Sequence, residues 1–512
     1  MEEKKQKIVQ SVDSNVAEME EAAALTKNEQ LTENEDVPTN TKFFGHPMQM
    51  GTVAGVEMWC SFSYYGLTGV LLLYIYYSTT QGGLGLSQAT AVSIVGAMGG
   101  GAKLASVANS WLADRVLGRE RVLFITATMT MLGHLTMAFT SGAGGLALGL
   151  FLVAYGSVGT VTTSIIGSLY RRGDIRLNSG FALYYMGVNI GAFLGPLITG
   201  WLQTNKGFHY GFGAAAIGMA LGLAQYSYYR RFLPKSVNHV ANPLNEDEKK
   251  KSLMVLVGIL LVFATLIGTK VLDAGDAANS VVVISIVSAV VIYTTMIRSD
   301  KITSDERTRV YASIPLFISQ IGFWTLYQQQ FTVLTIYSDQ RLNRHIGNWV
   351  MPVSWVQSIN PVYIILLSGF FAGLWAKWKG QPRTSGKFAW ANILIGLAYF
   401  MFLPFANKGP NSAPILLIAA ILFVFTIGEM FLSPTGLAVS TQLAPKAFTT
   451  RMVAIFSLAA AIGTAAAGSI AEFYDPTNEV PYFTTLGISS IILGCIIFAL
   501  NPWINKRMEG IV

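Results

Sequence analysis

The chain is short of charge and almost free of cysteine: of 512 residues only 12% are Asp, Glu, Lys or Arg, and Cys60 and Cys495 are the two thiols. Soluble globular domains carry about 25% charged residues, so a series of soluble domains is excluded. Two cysteines in apolar runs make neither a disulfide framework nor a metal-ligand spacing. Five histidines are scattered, and no nucleophile–base constellation, phosphate loop or metal set can be assembled. The reading is therefore no enzyme, no metal and no cofactor. The net charge of +7 is spread along the chain, which excludes the clustered basic surface that nucleic acid needs. What is present is apolar. Hydrophobic types make up 52%, and runs of about 18 or more residues, long enough to cross a hydrocarbon core, recur from about residue 50 to residue 503. The lipid bilayer is a partner from the start.

Residues 1–45 differ from the rest, with ten acids against five lysines. They read as a polar, mostly disordered cytoplasmic tail, with no apolar run of signal-peptide length. Apolar runs bounded by charge, Gly, Pro or Asn then place spans near 50–77, 86–112, 121–139, 145–169, 178–203, 209–229, 252–272, 278–297, 310–337, 350–375, 388–406, 413–440, 450–471 and 481–503. With both termini inside, 22 Lys and Arg residues fall on cytoplasmic loops and five (Lys206, Lys270, Arg341, Arg344, Lys408) on outer ones. That asymmetry is what orients membrane proteins. The fourteen spans divide as six, two and six. This predicts an all-α membrane protein of the major facilitator fold, two six-helix bundles around a central cavity, with two extra central helices. The expected domains are 46–231, a linker with the extra pair at 232–300, and 301–512. The extra pair, rich in Val and Ile, reads as a lipid-facing insertion.

Three ionisable groups are left inside spans once loops and ends are accounted for: Glu57, Lys103 and Glu429. A charge deep in a span costs at least about 2.5–3.5 kcal/mol, so these face water or one another and are functional candidates. His134 reads instead as a packed, hydrogen-bonded histidine. Polar and aromatic groups accompany the charges. They are Tyr64 and Tyr65; Trp324, Tyr327, Gln328, Gln329 and Gln330 in FWTLYQQQF; Gln357 and Asn360; and Asn189. Such groups suit a pocket for a small zwitterionic or peptide-like solute; individually each could equally be helix–helix glue.

EMWCSFSYYG (57–66) resembles the first-helix signature Glu-x-x-Glu-Arg-Phe-x-Tyr-Tyr-Gly of the proton-dependent oligopeptide transporter family. WLADRVLGRERVL (111–123), SDERTRVYASIPLF (304–317) and GEMFLSPTGLAVSTQLAP (428–445) resemble that family's later motifs, in order and at its spacing. The departures are specific. The signature's second Glu and its Arg fall at Cys60 and Ser61, a further Arg at Thr68, a fourth-helix Lys at Gly159 and a seventh-helix acid at Gln328. Lys103 takes a second-helix position where the family often has Tyr. Charges have gone in opposite-sign pairs, as the energetics of burial requires of a working cavity.

The resemblance implies a secondary transporter at the cell (plasma) membrane that takes up di- or tripeptides or related amino-acid-like solutes by alternating access, with protons as the coupling ion. Tyr64, Tyr65, Lys103, Asn189, Trp324, Gln328, Asn360 and Glu429 would bind substrate, Glu429 taking its ammonium and Lys103 its carboxylate. Glu57 and Glu429 would serve proton coupling. Two alternatives stay open. One is an uncoupled or differently coupled transporter of a modified peptide, natural product or other solute; the other is a membrane receptor or scaffold without transport.

Overall fold

The computed structural model describes residues 37–171, 174–240, 243–252, 254 and 274–508. Most of the expected tail and nearly all of the expected span at 252–272 lie outside the described residues. The other thirteen expected spans coincide with helices, and among the described residues eleven helical segments are long and apolar enough to cross a membrane. In chain order the helices are α1 (Met48–Tyr76), α2 (Gln88–Leu112), α3 (Arg119–Phe139), α4 (Ala143–Tyr155), α5 (Gly159–Ser168), α6 (Arg176–Lys206), α7 (Phe208–Tyr229) and α8 (Ala277–Ile297). There follow α9 (Ser304–Tyr327), α10 (Val333–Gln340), α11 (Ile359–Lys377), α12 (Thr384–Phe400), α13 (Ile415–Gln442), α14 (Thr449–Ala471) and α15 (Glu479–Arg507). The strands among the described residues are a two-residue antiparallel pair, β1 (His345–Ile346) and β2 (Trp349–Val350).

Two expected spans are broken, and both breaks are chemically provided for. The fourth pauses between α4 and α5. Carbonyls freed there cannot turn to water inside a membrane. Asn109 of α2 donates to the carbonyls of Tyr155 (2.9 Å) and Ser157 (3.0 Å), and Thr130 of α3 donates to that of Gly156 (2.9 Å). The ninth span breaks after Tyr327 into a 3-10 turn, Gln328–Phe331. There Tyr399 donates to the carbonyl of Leu326 (2.8 Å) and Gln329 to that of Ala467 (3.1 Å). Two of the three glutamines of the QQQ run, Gln329 and Gln330, are buried.

Helix contacts are close where residues are small. An added Cβ on Gly96 of α2 would lie 2.5 Å from the Cα of Gly468 in α14, and one on Gly100 would lie 2.7 Å from the Cβ of Ala465. Glycine there lets two backbones meet, which is how packing is gained in lipid. The hydrogen bonds joining residues 48–229 to 304–507 gather at the end of the molecule where α1 terminates. Ser354, Trp355 and Ser358 donate to the carbonyls of Pro196, Leu197 and Phe193 at 3.0, 3.0 and 2.8 Å. Tyr77 donates to Asp339 (2.8 Å), as does Tyr76, and Thr68 faces Gln357 at 3.5 Å. Gln357, read as a cavity group, belongs to this seal.

Two expectations from the sequence need amending. α8 is only half a lipid-facing insertion. Val283, Val287, Val290 and Val291 are exposed, but Ser285, Ala289, Tyr293 and Met296 are buried. Its N-terminal end is held by Ser93 of α2, which donates to the carbonyl of Gly275 (2.5 Å), and near its other end Tyr293 meets Ser313 of α9 at 3.1 Å. His134 is fully buried, yet neither ring nitrogen has a hydrogen-bond partner among the described residues. Sequence carries no signal for which polar group a buried histidine will meet.

Candidate functional site

Glu57 lies nine residues into α1 and Lys103 nine residues before the end of α2. These helices run in opposite directions, so both groups sit at a similar depth, about 14 Å from the same face at a rise of about 1.5 Å per residue. Glu429 lies thirteen residues before the end of α13, about 20 Å deep by the same measure. Lys103 is within electrostatic reach of both carboxyls. It forms no direct ion pair with either among the described residues. It is exposed to water although protein surrounds it. A wet internal chamber reconciles those two facts.

Each carboxyl has a hydroxyl partner that sequence reasoning did not assign to it. Thr162 of α5 donates to Glu57 Oε2 at 2.8 Å, and its oxygen lies 3.0 Å from the hydroxyl of Tyr184 in α6. The break before α5 sets this register. Gly159, the first residue of α5, would carry its Cβ 3.8 Å from Glu57 Oε1. The place where the family lysine falls therefore does face Glu57, and here it is empty of charge. Tyr327, the last residue of α9, is hydrogen-bonded to Glu429 Oε2 at 2.5 Å and lies 3.1 Å from Asn360 Oδ1. Asn360 Nδ2 donates to Thr426 Oγ1 of α13 at 2.9 Å. Glu57, Glu429 and Asn360 are each at least nine-tenths buried, so these bonds replace water rather than compete with it.

The remaining candidates divide. Tyr64 and Tyr65 stack edge to face with centroids 5.4 Å apart; Tyr65 faces Phe331 at 6.0 Å, and the Tyr64 hydroxyl lies 3.5 Å from where a Cβ of Gly99 in α2 would stand. Tyr65 is within electrostatic reach of Glu57 and Glu429, so the pair lines the chamber. Trp324 packs edge-on against Tyr327 (5.3 Å), and its Nε1 has no partner among the described residues, nor has Gln328 Oε1. Asn189 is buried and donates to the carbonyl of Tyr185 one turn before it (2.8 Å). Tyr185 itself is 38% exposed and within reach of Glu429. It is a chamber residue that the sequence did not single out. Tyrosine and threonine hydroxyls in apolar helices are common, and which one meets a carboxyl depends on helix register, for which a single sequence gives no signal.

Comparison with known proteins agrees with the all-helical architecture. The family model described as POT family matches residues 120–487. The uncharacterized transporter YclF of Bacillus subtilis (strain 168) is 36% identical over 479 residues, covering 92% of this chain and 96% of the relative. The di-/tripeptide transporter of Lactococcus lactis subsp. cremoris is 34% identical over 493 residues, covering 92% and 99%. A crystal structure of a peptide transporter POT mutant in complex with alafosfalin superposes with a TM-score of 0.88 at 35% identity, covering 94% of this chain and 99% of that one.

Proposed function

The chain belongs to the POT family and is a multi-pass membrane protein of the major facilitator fold, and on that premise we propose that it takes up di- and tripeptides by alternating access, coupled to protons. The observation that carries this reading is the chamber itself, where one cation, Lys103, is within electrostatic reach of two buried carboxyls on opposite halves of the chain. A zwitterionic peptide is complementary to it. Its ammonium suits Glu429, beside Tyr327 and Asn360, and its carboxylate suits Lys103. Tyr64, Tyr65, Trp324, Gln328 and Asn189 shape the walls. Glu57 is the proton carrier, held by Thr162 in place of the arginine that the family supplies.

The conformation supports the same cycle. The seal of Ser354, Trp355, Ser358 and the Tyr76–Tyr77–Asp339 clasp closes one face, which on the loop-charge asymmetry is the outer one. Residues 46–231 and 301–512 then act as the two rocking halves, with both termini cytoplasmic. A relative named as a di-/tripeptide transporter favours peptide over the alternative solutes. The test is uptake of a radiolabelled dipeptide into proteoliposomes by wild type, Lys103→Ala and Glu429→Gln. Loss of uptake in both variants is the expected result, and unimpaired uptake in both defeats the assignment.

A further inference from the structure

The two chamber carboxyls are wired with opposite polarity. Around Glu57 the hydrogens run toward the carboxylate. Thr162 donates to it at 2.8 Å, and the Tyr184 hydroxyl, 3.0 Å from the Thr162 oxygen, is also in hydrogen-bond reach of the Glu57 carboxyl, so both hydroxyls face it as donors. The competing acceptor for Thr162, the carbonyl of Gly159, has Thr163 as a second donor at 3.1 Å. That chain is complete when Glu57 is ionised.

Around Glu429 the hydrogens run away from it. Thr426 donates to the carbonyl of Leu422 at 2.8 Å, so toward Asn360 it can only accept. This fixes the amide of Asn360 with Nδ2 on Thr426 and Oδ1 on Tyr327. Tyr327 then faces two acceptors, Asn360 Oδ1 at 3.1 Å and Glu429 Oε2 at 2.5 Å, with one hydrogen to give. A phenolic hydroxyl donates once. Every member is satisfied only if Glu429 brings a hydrogen of its own, giving Glu429 to Tyr327 to Asn360 to Thr426 to the Leu422 carbonyl. Charge agrees with hydrogen-bond count. With Glu57 ionised, Lys103 charged and Glu429 protonated, the empty chamber is neutral. A third, unpaired charge among buried groups is what burial penalises. The other ionisable groups in reach of the two carboxyls are Tyr65, Tyr184, Tyr185 and Cys60, hydroxyls and a thiol that add no charge.

We propose that a zwitterionic substrate moves one proton inside the chamber, from Glu429 to Glu57, with Tyr327 as the positioning residue that turns its hydrogen from Asn360 to the Glu429 carboxylate as the proton leaves. The inference rests on the peptide reading above for the identity of the zwitterion. The substrate ammonium replaces the proton on Glu429, and the substrate carboxylate takes Lys103. Glu57, having lost its cation, accepts the proton through chamber water. The Glu429 O–H bond breaks and a Glu57 O–H bond forms, and the chamber is neutral before and after. When the substrate departs, Lys103 returns to Glu57, the Glu57 O–H bond breaks and its proton is shed on that side; Glu429, left ionised, takes up one proton once the chamber reopens to the side where substrate enters, which restores the neutral empty chamber. One proton thus travels with each substrate, without the family's arginine or lysine.

The test is infrared difference spectroscopy of the purified full chain at neutral pH, with dialanine as probe and a pH indicator in weak buffer. Dialanine is expected to remove one protonated-carboxyl band and create another, the first absent from Glu429→Gln and the second from Glu57→Gln, with no net proton released to bulk. Before substrate, Tyr327→Phe moves the Glu429 band to higher frequency. Asn360→Leu moves it too, but not further in the Tyr327→Phe background. Should Tyr327→Phe fail to fold, wild type against Glu429→Gln decides alone. No Glu429-dependent band in the substrate-free protein, or one proton released per dialanine bound, overturns the proposal. The band present without any response to dialanine overturns the peptide reading instead.

Discussion

Lys103→Gln removes the one cation that the described residues place in the chamber while keeping a side chain of similar reach. If Lys103 and Glu57 stand about 6–8 Å apart, beyond direct contact, an effective dielectric of about 20 gives an attraction of about 2–3 kcal/mol. Lys103 is open to chamber water, and screening halves this to about 1–1.5 kcal/mol at the low end. A substrate carboxylate in contact with Lys103 would gain at least as much. Dipeptide uptake by Lys103→Gln should therefore fall about 5- to 150-fold in kcat/KM, since each 1.4 kcal/mol is a factor of ten. The assay is initial-rate uptake into proteoliposomes of a labelled dipeptide and of its C-terminal amide, which has no carboxylate. Wild type should prefer the free acid, and Lys103→Gln should lose that preference along with the rate. Preference for the acid retained in Lys103→Gln would refute the pairing, whatever happened to the rate.

Three further outcomes follow from the fold. At the α2–α14 crossing, a Cβ on Gly468 would lie 2.7 Å from the carbonyl of Val92 and 2.8 Å from the Cα of Gly96, backbone that cannot step aside. Gly468→Leu should cost about 1–3 kcal/mol, read as a lowered midpoint of thermal unfolding in detergent, and an unchanged midpoint would contradict the packing. Glu479 is fully buried and accepts from Arg341 (3.2 Å), Tyr474 (2.7 Å) and the backbone N–H of Asn407 (2.7 Å). Glu479→Leu strands Arg341 and should cost about 3–5 kcal/mol, with Arg341→Met in the same chain restoring part of it; a double variant no more stable than the single would dismiss the pair. In the loop before α6, Arg176 donates to Asp174 from its side chain (2.8 Å) and its backbone N–H (2.9 Å), holding that carboxyl down at about 2. A depressed value means the contact is whole above about pH 4 and lost as pH falls through about 2. Arg176→Ala should return the Asp174 carbon-13 titration to the ordinary carboxylate range.

Much of this was legible in the chain because lipid imposes simple rules. Long apolar runs located thirteen spans within a few residues. Bookkeeping of charge isolated Glu57, Lys103 and Glu429, since a lone ion in a span has few places to go. The break at Gly156–Val158 was not legible, because the span keeps its hydropathy across it, whereas the one at Gln328–Phe331 falls on the polar QQQ run, a signal read as cavity lining; the side chains that repair both, Asn109, Thr130 and Tyr399, come from other helices. The carboxyl partners were missed for the same reason. Thr162 is 105 residues from Glu57 and Tyr327 is 102 from Glu429, and only helix packing brings them together. Gln357 shows the converse. A polar residue beside Asn360 in sequence serves a seal with Thr68 and Thr335 (3.2 Å to its hydroxyl) and leaves the pocket to its neighbour.

A peptide and a proton are expected to cross together through this chamber. The most direct measurement is accumulation of labelled dialanine in proteoliposomes under an imposed pH gradient, acid outside. Wild type should concentrate the dipeptide above its external level and acidify the lumen as it does so. Glu57→Gln should equilibrate the dipeptide without concentrating it. Concentration by Glu57→Gln equal to wild type, or uptake by wild type indifferent to the gradient, would contradict the account.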